Sequence, residues 1–169
     1  MKNHQHINGD SGSDEYYTPA AIIEAARNTL GGIDLDPASS EIANGCVRAK
    51  TFFKESDDAL NRNWFGAVWM NHPFGRKTNK PWIKKLMAEW QSGRVAEAIC
   101  ITFASTSEEW FRPLLAFPQC YIHGRTNYLL PNGKVKKGAT KGSVVTYLGK
   151  HPDKFASCFK QFGTVKITL

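Results

Sequence analysis

The chain has 169 residues, 41% hydrophobic and 22% charged, which suits one globular domain burying roughly 70% of its unfolded surface without staples. No apolar run approaches the roughly 20 residues of a membrane helix, and the polar stretch from Met1 to Ser13 lacks the apolar core of a secretory signal. The net charge of +7 is split, with 6 Lys and Arg against 10 Asp and Glu in residues 1–70 and 16 against 5 in residues 71–169, so the two halves suggest two different ligands, and the basic rear half favours a phosphate backbone.

In chain order, residues 1–13 read as a disordered tail, in which His4 and His6 are ordinary polar residues. Tyr17-Thr18-Pro19 opens a helix: Thr18 is the expected cap, Pro19 suits the first helical position, and Gly31-Gly32 ends it after Leu30. Ile33 to Asp36 reads as a short strand followed by the loop Pro37-Ala38-Ser39-Ser40, and Lys50 to Phe53 as a second strand. Ala67 to Met70 is a strong apolar strand, followed by a basic loop from Gly75 to Asn79. Lys80 to Gln91 is helical, with Trp82, Leu86 and Trp90 at spacing four on one face. Ala96 to Phe103 is an apolar strand, and Ser107 to Phe117 reads as a helix capped by Ser107. Cys120 to Ile122, Asn127 to Leu130 and Ser143 to Leu148 read as strands. Alternating strands and helices predict an α/β domain over residues 14–169, with a mainly parallel sheet finished by an antiparallel hairpin.

The four cysteines are far apart and lack metal-ligand spacing, so they read as free thiols of a reducing compartment, with no metal expected. Asp34 and Asp36 flank an apolar residue at a strand end, where carboxylates accept from hydroxyls or an ammonium group; the alternative is that Asp36 caps the next turn. Asp57 and Asp58 follow a strand and can accept from an exocyclic amine, or cap the turn before Ala59.

Asn71-His72-Pro73-Phe74 is the sharpest signal. It follows a buried strand, at the sheet edge where ligands of open α/β proteins bind. An aromatic amine is a poor nucleophile because its lone pair is delocalised into the ring. Two acceptors on its two N–H bonds favour a pyramidal nitrogen and free that pair. The Asn71 side-chain oxygen and the His72 carbonyl are the two acceptors, and Pro73 restricts His72 so as to aim the carbonyl. Phe74 is expected to expose a face for base stacking, worth about 1–3 kcal/mol. The alternative is a plain strand-to-loop turn.

With these residues the chain resembles the phage DNA N-6-adenine methyltransferases (Dam-type), which are class I S-adenosylmethionine-dependent enzymes. The likeness spans about Asp14 to Gly149 and rests on the segments Tyr16–Pro19, Ile33–Ser39, Ser56–Leu60, Val68–Arg76, Pro81–Lys85 and His123–Tyr128. It implies a Rossmann-like sheet flanked by helices, and methyl transfer from S-adenosylmethionine to adenine N6 of a base flipped out of double-stranded DNA. It implies that Tyr17, Thr18, Pro19, Asp34, Asp36, Pro37, Ala38, Ser39 and Asp57 or Asp58 border the cofactor, and that Asn71, His72, Pro73 and Phe74 hold the target adenine. Within it, the DNA contacts are expected from Arg76, Lys77, Lys80, Lys84, Lys85, Arg125, Lys134, Lys136, Lys137 and Lys141, with His123 to Arg125 at the pocket mouth or in a plain hairpin. A monomer in the host cytoplasm is the expected setting. Two positions depart from the family pattern. His72 stands where relatives usually carry proline in Asn-Pro-Pro-Tyr or Asp-Pro-Pro-Tyr, and Pro37 to Ser40 replaces a glycine-rich loop.

Two other readings use the same residues. Cytosine N4, an RNA base or a protein amide presents an N–H pair to the same tetrad. A non-catalytic DNA-binding module would keep the basic half but not the cofactor.

Overall fold

The computed structural model describes residues 16–130, 132–136, 139 and 141–167. The expected tail, with His4 and His6, and Lys137 lie outside the described residues. One sheet of seven strands organises the molecule, in the order β2-β1-β3-β4-β6-β5-β7. The strands are β1 (Leu35–Asp36), β2 (Thr51–Phe52), β3 (Gly66–Met70), β4 (Val95–Phe103), β5 (Gln119–Ile122), β6 (Ser143–Leu148) and β7 (Gly163–Lys166). β2, β1, β3 and β4 run parallel to their neighbours. β6 opposes β4 and β5, and β7 opposes β5, so β6 and β7 alone run against the other five.

Side-chain alternation builds two cores. Trp69, Ile99, Ile101, Val145 and Tyr147 face one side, against Ile22, Ile23 and Ala26 of α1 (Ala20–Leu30) and Phe155 and Phe159 of α4 (Pro152–Phe159). Val68, Met70, Ala98, Cys100, Val144 and Leu148 face the other, against Ile83 and Leu86 of α3 (Asn79–Gln91). Continuous apolar strands therefore mean burial on both faces.

Several elements differ from expectation. Thr18 does not cap α1; Pro19 occupies the cap position and the helix begins at Ala20. A short helix, α2 (Glu41–Val47), follows the first loop, with the Ser40 hydroxyl accepting from the Ala43 amide. Residues Ser107 to Phe117 form turns and one 3-10 helix, Arg112–Ala116, instead of an α-helix. Pro113 at its start lacks a backbone donor, which favours the short form. Asn127 to Leu130 is not a strand of the sheet; Leu129 makes single bridges to Tyr17 and Val135. β5 and β6 pair antiparallel as expected, but α4 and β7 follow and extend the sheet. Pro152 at the start of α4 and Phe155 and Phe159 four apart are the helix signal that pattern reading passes over.

Asp34 lies just before β1, at the amino end of the parallel strands. Its Oδ2 accepts from the Ala67 amide at 2.9 Å and its Oδ1 from Lys50 Nζ at 2.8 Å. These donors, Lys50 first, hold its pKa below the usual carboxylate range. The carboxylate thus pins the start of β1 to the start of β3. Gly66 makes room for it: φ is +65°, and a Cβ there would meet Asp34 Oδ2 at 2.4 Å. Gly66→Ala should therefore destabilise the protein by about 1–3 kcal/mol, read as a lower urea midpoint at unchanged m-value.

Candidate active site

From β1 the chain moves outward to β2, then returns to β3 on the other side of β1. The strand order reverses between β1 and β3, and the carboxyl ends there are where an open parallel sheet binds ligands. Asp36 ends β1 and Asn71 directly follows β3. A cleft of about 760 Å³ opens at this point, and both residues line it. That volume lies within the usual range of small-molecule sites.

The Asn71 side chain is half-buried and fixed by one bond: its Nδ2 donates to the Tyr16 carbonyl. That assignment turns Oδ1 away from Tyr16, and among the described residues Oδ1 accepts nothing. The neighbouring His72 carbonyl likewise accepts no hydrogen bond among the described residues, whereas the Pro73 carbonyl takes the Thr78 hydroxyl at 2.6 Å. Two acceptors thus stand open where β3 ends. The Tyr16 carbonyl is itself placed by a two-bond bridge at the next residue, Tyr17 to Leu129, each bond 2.8 Å.

Phe74 does not offer the expected exposed face. Its ring is buried, with Phe103 at 4.6 Å, Tyr128 at 5.6 Å and Tyr16 stacked at 6.1 Å between centroids. A hydroxyl-free ring gains more from that aromatic cluster than from the cleft. The aromatic residues that line the cleft are Tyr16, Tyr17, Trp69 and Trp82, beside His72; Tyr16, Trp69 and Trp82 are not among the expected site residues. Trp82 gave a signal, being at the edge of the α3 apolar face. Tyr16 gave one only as part of the Tyr16–Pro19 segment.

The His72 imidazole is buried, stacks near-parallel on Trp82 at 6.2 Å and bonds Asn79 Oδ1 through Nε2 at 2.9 Å. Burial pulls its pKa down to about 4, against the raising effect of Asn79. The ring is neutral at pH 7.

The acidic residues separate by position. Asp36 is buried and lines the cleft, its Oδ1 taking the Ala38 amide at 3.1 Å. Burial pushes its pKa up to about 7, opposed by hydrogen bonds from Ala38 and Ser39. It meets no cation among the described residues. Asp34 does not line the cleft, because it sits at the opposite ends of the strands. Asp57 does not line it either; its Oδ2 takes the Lys54 amide at 2.8 Å. Asp58 does line it, with left-handed φ of +51°, a conformation aspartate tolerates. Of the expected cofactor residues, Tyr17, Thr18, Asp36, Pro37, Ala38, Ser39 and Asp58 come together here. Pro19 is beside them as the α1 cap. The Thr18 hydroxyl is buried without a partner, and the Tyr17 hydroxyl meets Ser40 at 3.0 Å.

The basic candidates also divide. Arg76, Lys77, Lys84, Arg125, Lys134 and Lys141 are exposed. Lys136 is half-buried, its ammonium 5.8 Å from the Tyr16 ring centre. Lys80 pairs with Glu109 at 3.1 Å on the surface, a pair weak enough for a phosphate to replace. Lys85 is not a surface cation: it holds the buried Glu89 at 2.6 Å, together with Arg94. His123 is exposed and its Nε2 meets the Thr164 hydroxyl at 2.8 Å, which places it against β7. Burial pushes the Cys100 thiol up to about 12 and Cys120 to about 11, so neither is a nucleophile at neutral pH; Cys46 is exposed and Cys158 half-buried.

A family model described as DNA N-6-adenine-methyltransferase (Dam) matches residues 6–158. No curated protein and no solved structure matches the chain.

Asp36 sets a pH signature. Between about pH 4 and 7 its folded form keeps a proton that the unfolded chain has lost. Its contribution to stability is therefore present at low pH and lost as pH rises through 7. His72 acts oppositely over an overlapping window, since its folded form stays neutral while the unfolded ring protonates. Urea unfolding of wild type and Asp36→Asn across pH 4–8 separates the two. The variant should gain stability relative to wild type as pH rises, by about 1–3 kcal/mol at pH 8.

Proposed function

The chain belongs to the DNA N-6-adenine-methyltransferase (Dam) family, and on that premise we propose that it transfers a methyl group from S-adenosylmethionine to N6 of an adenine flipped out of duplex DNA. The observation that carries this reading is Asn71, held at the end of β3 with its Oδ1 free, in the same cleft as the unpaired carboxyl of Asp36. The strand-order reversal between β1 and β3 supports a Rossmann-like class I arrangement.

The cleft's donors and acceptors suit S-adenosylmethionine. Asp36 is a buried acidic group with hydrogen bonds from Ala38 and Ser39 but no cation among the described residues, and the Thr18 hydroxyl is a buried polar group without a partner. A buried carboxyl without a counter-charge and a buried hydroxyl without a partner are both costly, so both favour a ligand that pairs them. In this reading Asp36 and Thr18 face the amino-acid or ribose portion, and Asp58 faces the adenine ring. The bound cofactor supplies an electrophilic methyl group on a sulfonium.

Everything else falls to the chain's own residues. Asn71 Oδ1 and the His72 carbonyl accept the two N–H bonds of the target amine, which localises the lone pair on nitrogen. The acceptors are placed before the reaction and need no reorganisation during it. Tyr16 and Trp82 take the stacking role that the buried Phe74 cannot. Arg76, Lys77, Lys84, Arg125, Lys134 and Lys141 track the phosphates, and binding should weaken steeply with salt. The flipped base leaves its stack at a cost of a few kcal/mol, repaid by these contacts.

Incubation of the protein with S-adenosylmethionine and unmodified DNA should yield N6-methyladenine on nucleoside mass spectrometry. N4-methylcytosine in its place would transfer the reading to cytosine, and absence of S-adenosylmethionine binding by calorimetry would favour the non-catalytic module. Asn71→Ala should lower the methylation rate by about 10²–10³-fold while S-adenosylmethionine affinity holds within a few-fold.

A further inference from the structure

The second tetrad residue carries more than its carbonyl. His72 is one of the residues that line the cleft; its ring is buried, and its Nε2 faces Asn79 Oδ1 at 2.9 Å. An amide oxygen only accepts, so Nε2 carries the ring proton and Nδ1 is a bare acceptor. That Nδ1 is buried and has no partner. A buried acceptor left unpaired costs about 1–3 kcal/mol, so it marks a place where a ligand brings a donor. A flipped adenine has only one donor group on its base, the N6 amine.

An amine seated on Asn71 has two hydrogens for three acceptors, Asn71 Oδ1, the His72 carbonyl oxygen and Nδ1 of the same histidine, so in this arrangement Nδ1 shares a hydrogen with that carbonyl. The first two are amide oxygens, which accept hydrogen bonds but do not take protons at neutral pH. The imidazole nitrogen is the one base among them. We propose that His72, through Nδ1, removes the proton that the target amine must shed when it is methylated. This inference rests on the adenine reading above.

The step balances. A bond forms between N6 and the methyl carbon as that carbon leaves the sulfonium donor, which becomes a neutral thioether. N6 is then a cation with two hydrogens. One N–H bond breaks, its electron pair stays on nitrogen, and the proton passes to Nδ1. His72 returns it to water after product leaves. A neutral, weakly basic imidazole suffices, because an alkylated aromatic ammonium is a far stronger acid than imidazolium. Burial holds His72 neutral and ready. Asn79 and the Trp82 stack hold the ring in one tautomer and orientation.

Single-turnover methylation of an adenine-containing duplex tests this with wild type, His72→Phe and His72→Ala. Phe keeps a ring against Trp82 but has no base. Its kcat should fall by about 10²–10⁴-fold, with DNA and S-adenosylmethionine affinities within about threefold, the tolerance of an ordinary assay. Imidazole added to His72→Ala should restore rate, and pyrazole, of like shape but far weaker basicity, should not. A His72→Phe rate close to wild type, equal rescue by the two azoles, or no rescue by either would overturn proton removal by His72. Should both variants fail to fold, the ¹⁵N signal of His72 Nδ1 in wild type decides. It should move on binding an adenine duplex and stay put with a purine lacking the amine; movement with both, or with neither, overturns the proposal. A wild type that methylates cytosine or nothing defeats the adenine reading itself, a result distinct from any of these.

Discussion

One hydrogen bond, from Asn71 Nδ2 to the Tyr16 carbonyl, decides what the site presents to a ligand. A primary amide is ambiguous by itself, since it turns either a donor or an acceptor outward. Tyr16 removes the ambiguity by taking the donor end. That carbonyl is in turn held by the neighbouring bridge between Tyr17 and Leu129. The end of β3, the segment before α1 and the connection between β5 and β6 therefore converge on one point. Parts of the chain 55 residues apart meet there, so the amide is correctly oriented only when the whole sheet has assembled.

The aromatic cluster is the second support. Phe74, Phe103 and Tyr128 pack together beneath Tyr16, and Tyr128 bonds Ser143 at 2.8 Å. Tyr16, which lines the cleft, thus rests on a cluster tied to the first residue of β6. Fixing the loop after β3 from below compensates for the missing proline at position 72. A proline would restrict the backbone intrinsically. Here the ring of His72 does so by contact, wedged between Trp82 and Phe74 and bonded to Asn79.

Much of this was legible in the residues. The apolar runs at Ala67–Met70, Ala96–Phe103 and Ser143–Leu148 are strands because both faces of the sheet are covered, and burial needs no alternation. The Asn71 tetrad was placed correctly at a carboxyl end because the apolar strand before it and the proline within it leave few options. The errors share a cause, which is that a linear pattern carries no depth. Asp34 and Asp36 are two residues apart, yet about 7 Å of strand separates the structural end of the sheet from the ligand end. Phe74 looked exposed because it follows a strand, but only the fold shows Phe103 and Tyr128 waiting for it. Lys85 looked like its neighbour Lys84, until Glu89 appeared beneath it. The late helix and β7 were missed since β7 is a short, half-exposed edge strand with little apolar signal.

Asp36 carries a consequence for turnover. A buried carboxyl without a cation favours a positively charged occupant over a neutral one of the same shape. A methyl donor enters as a cation and departs as an uncharged thioether. Under the proposed function Asp36, beside the amino-acid or ribose portion but in the same cleft as the sulfonium, would therefore hold the charged donor more strongly than the used molecule.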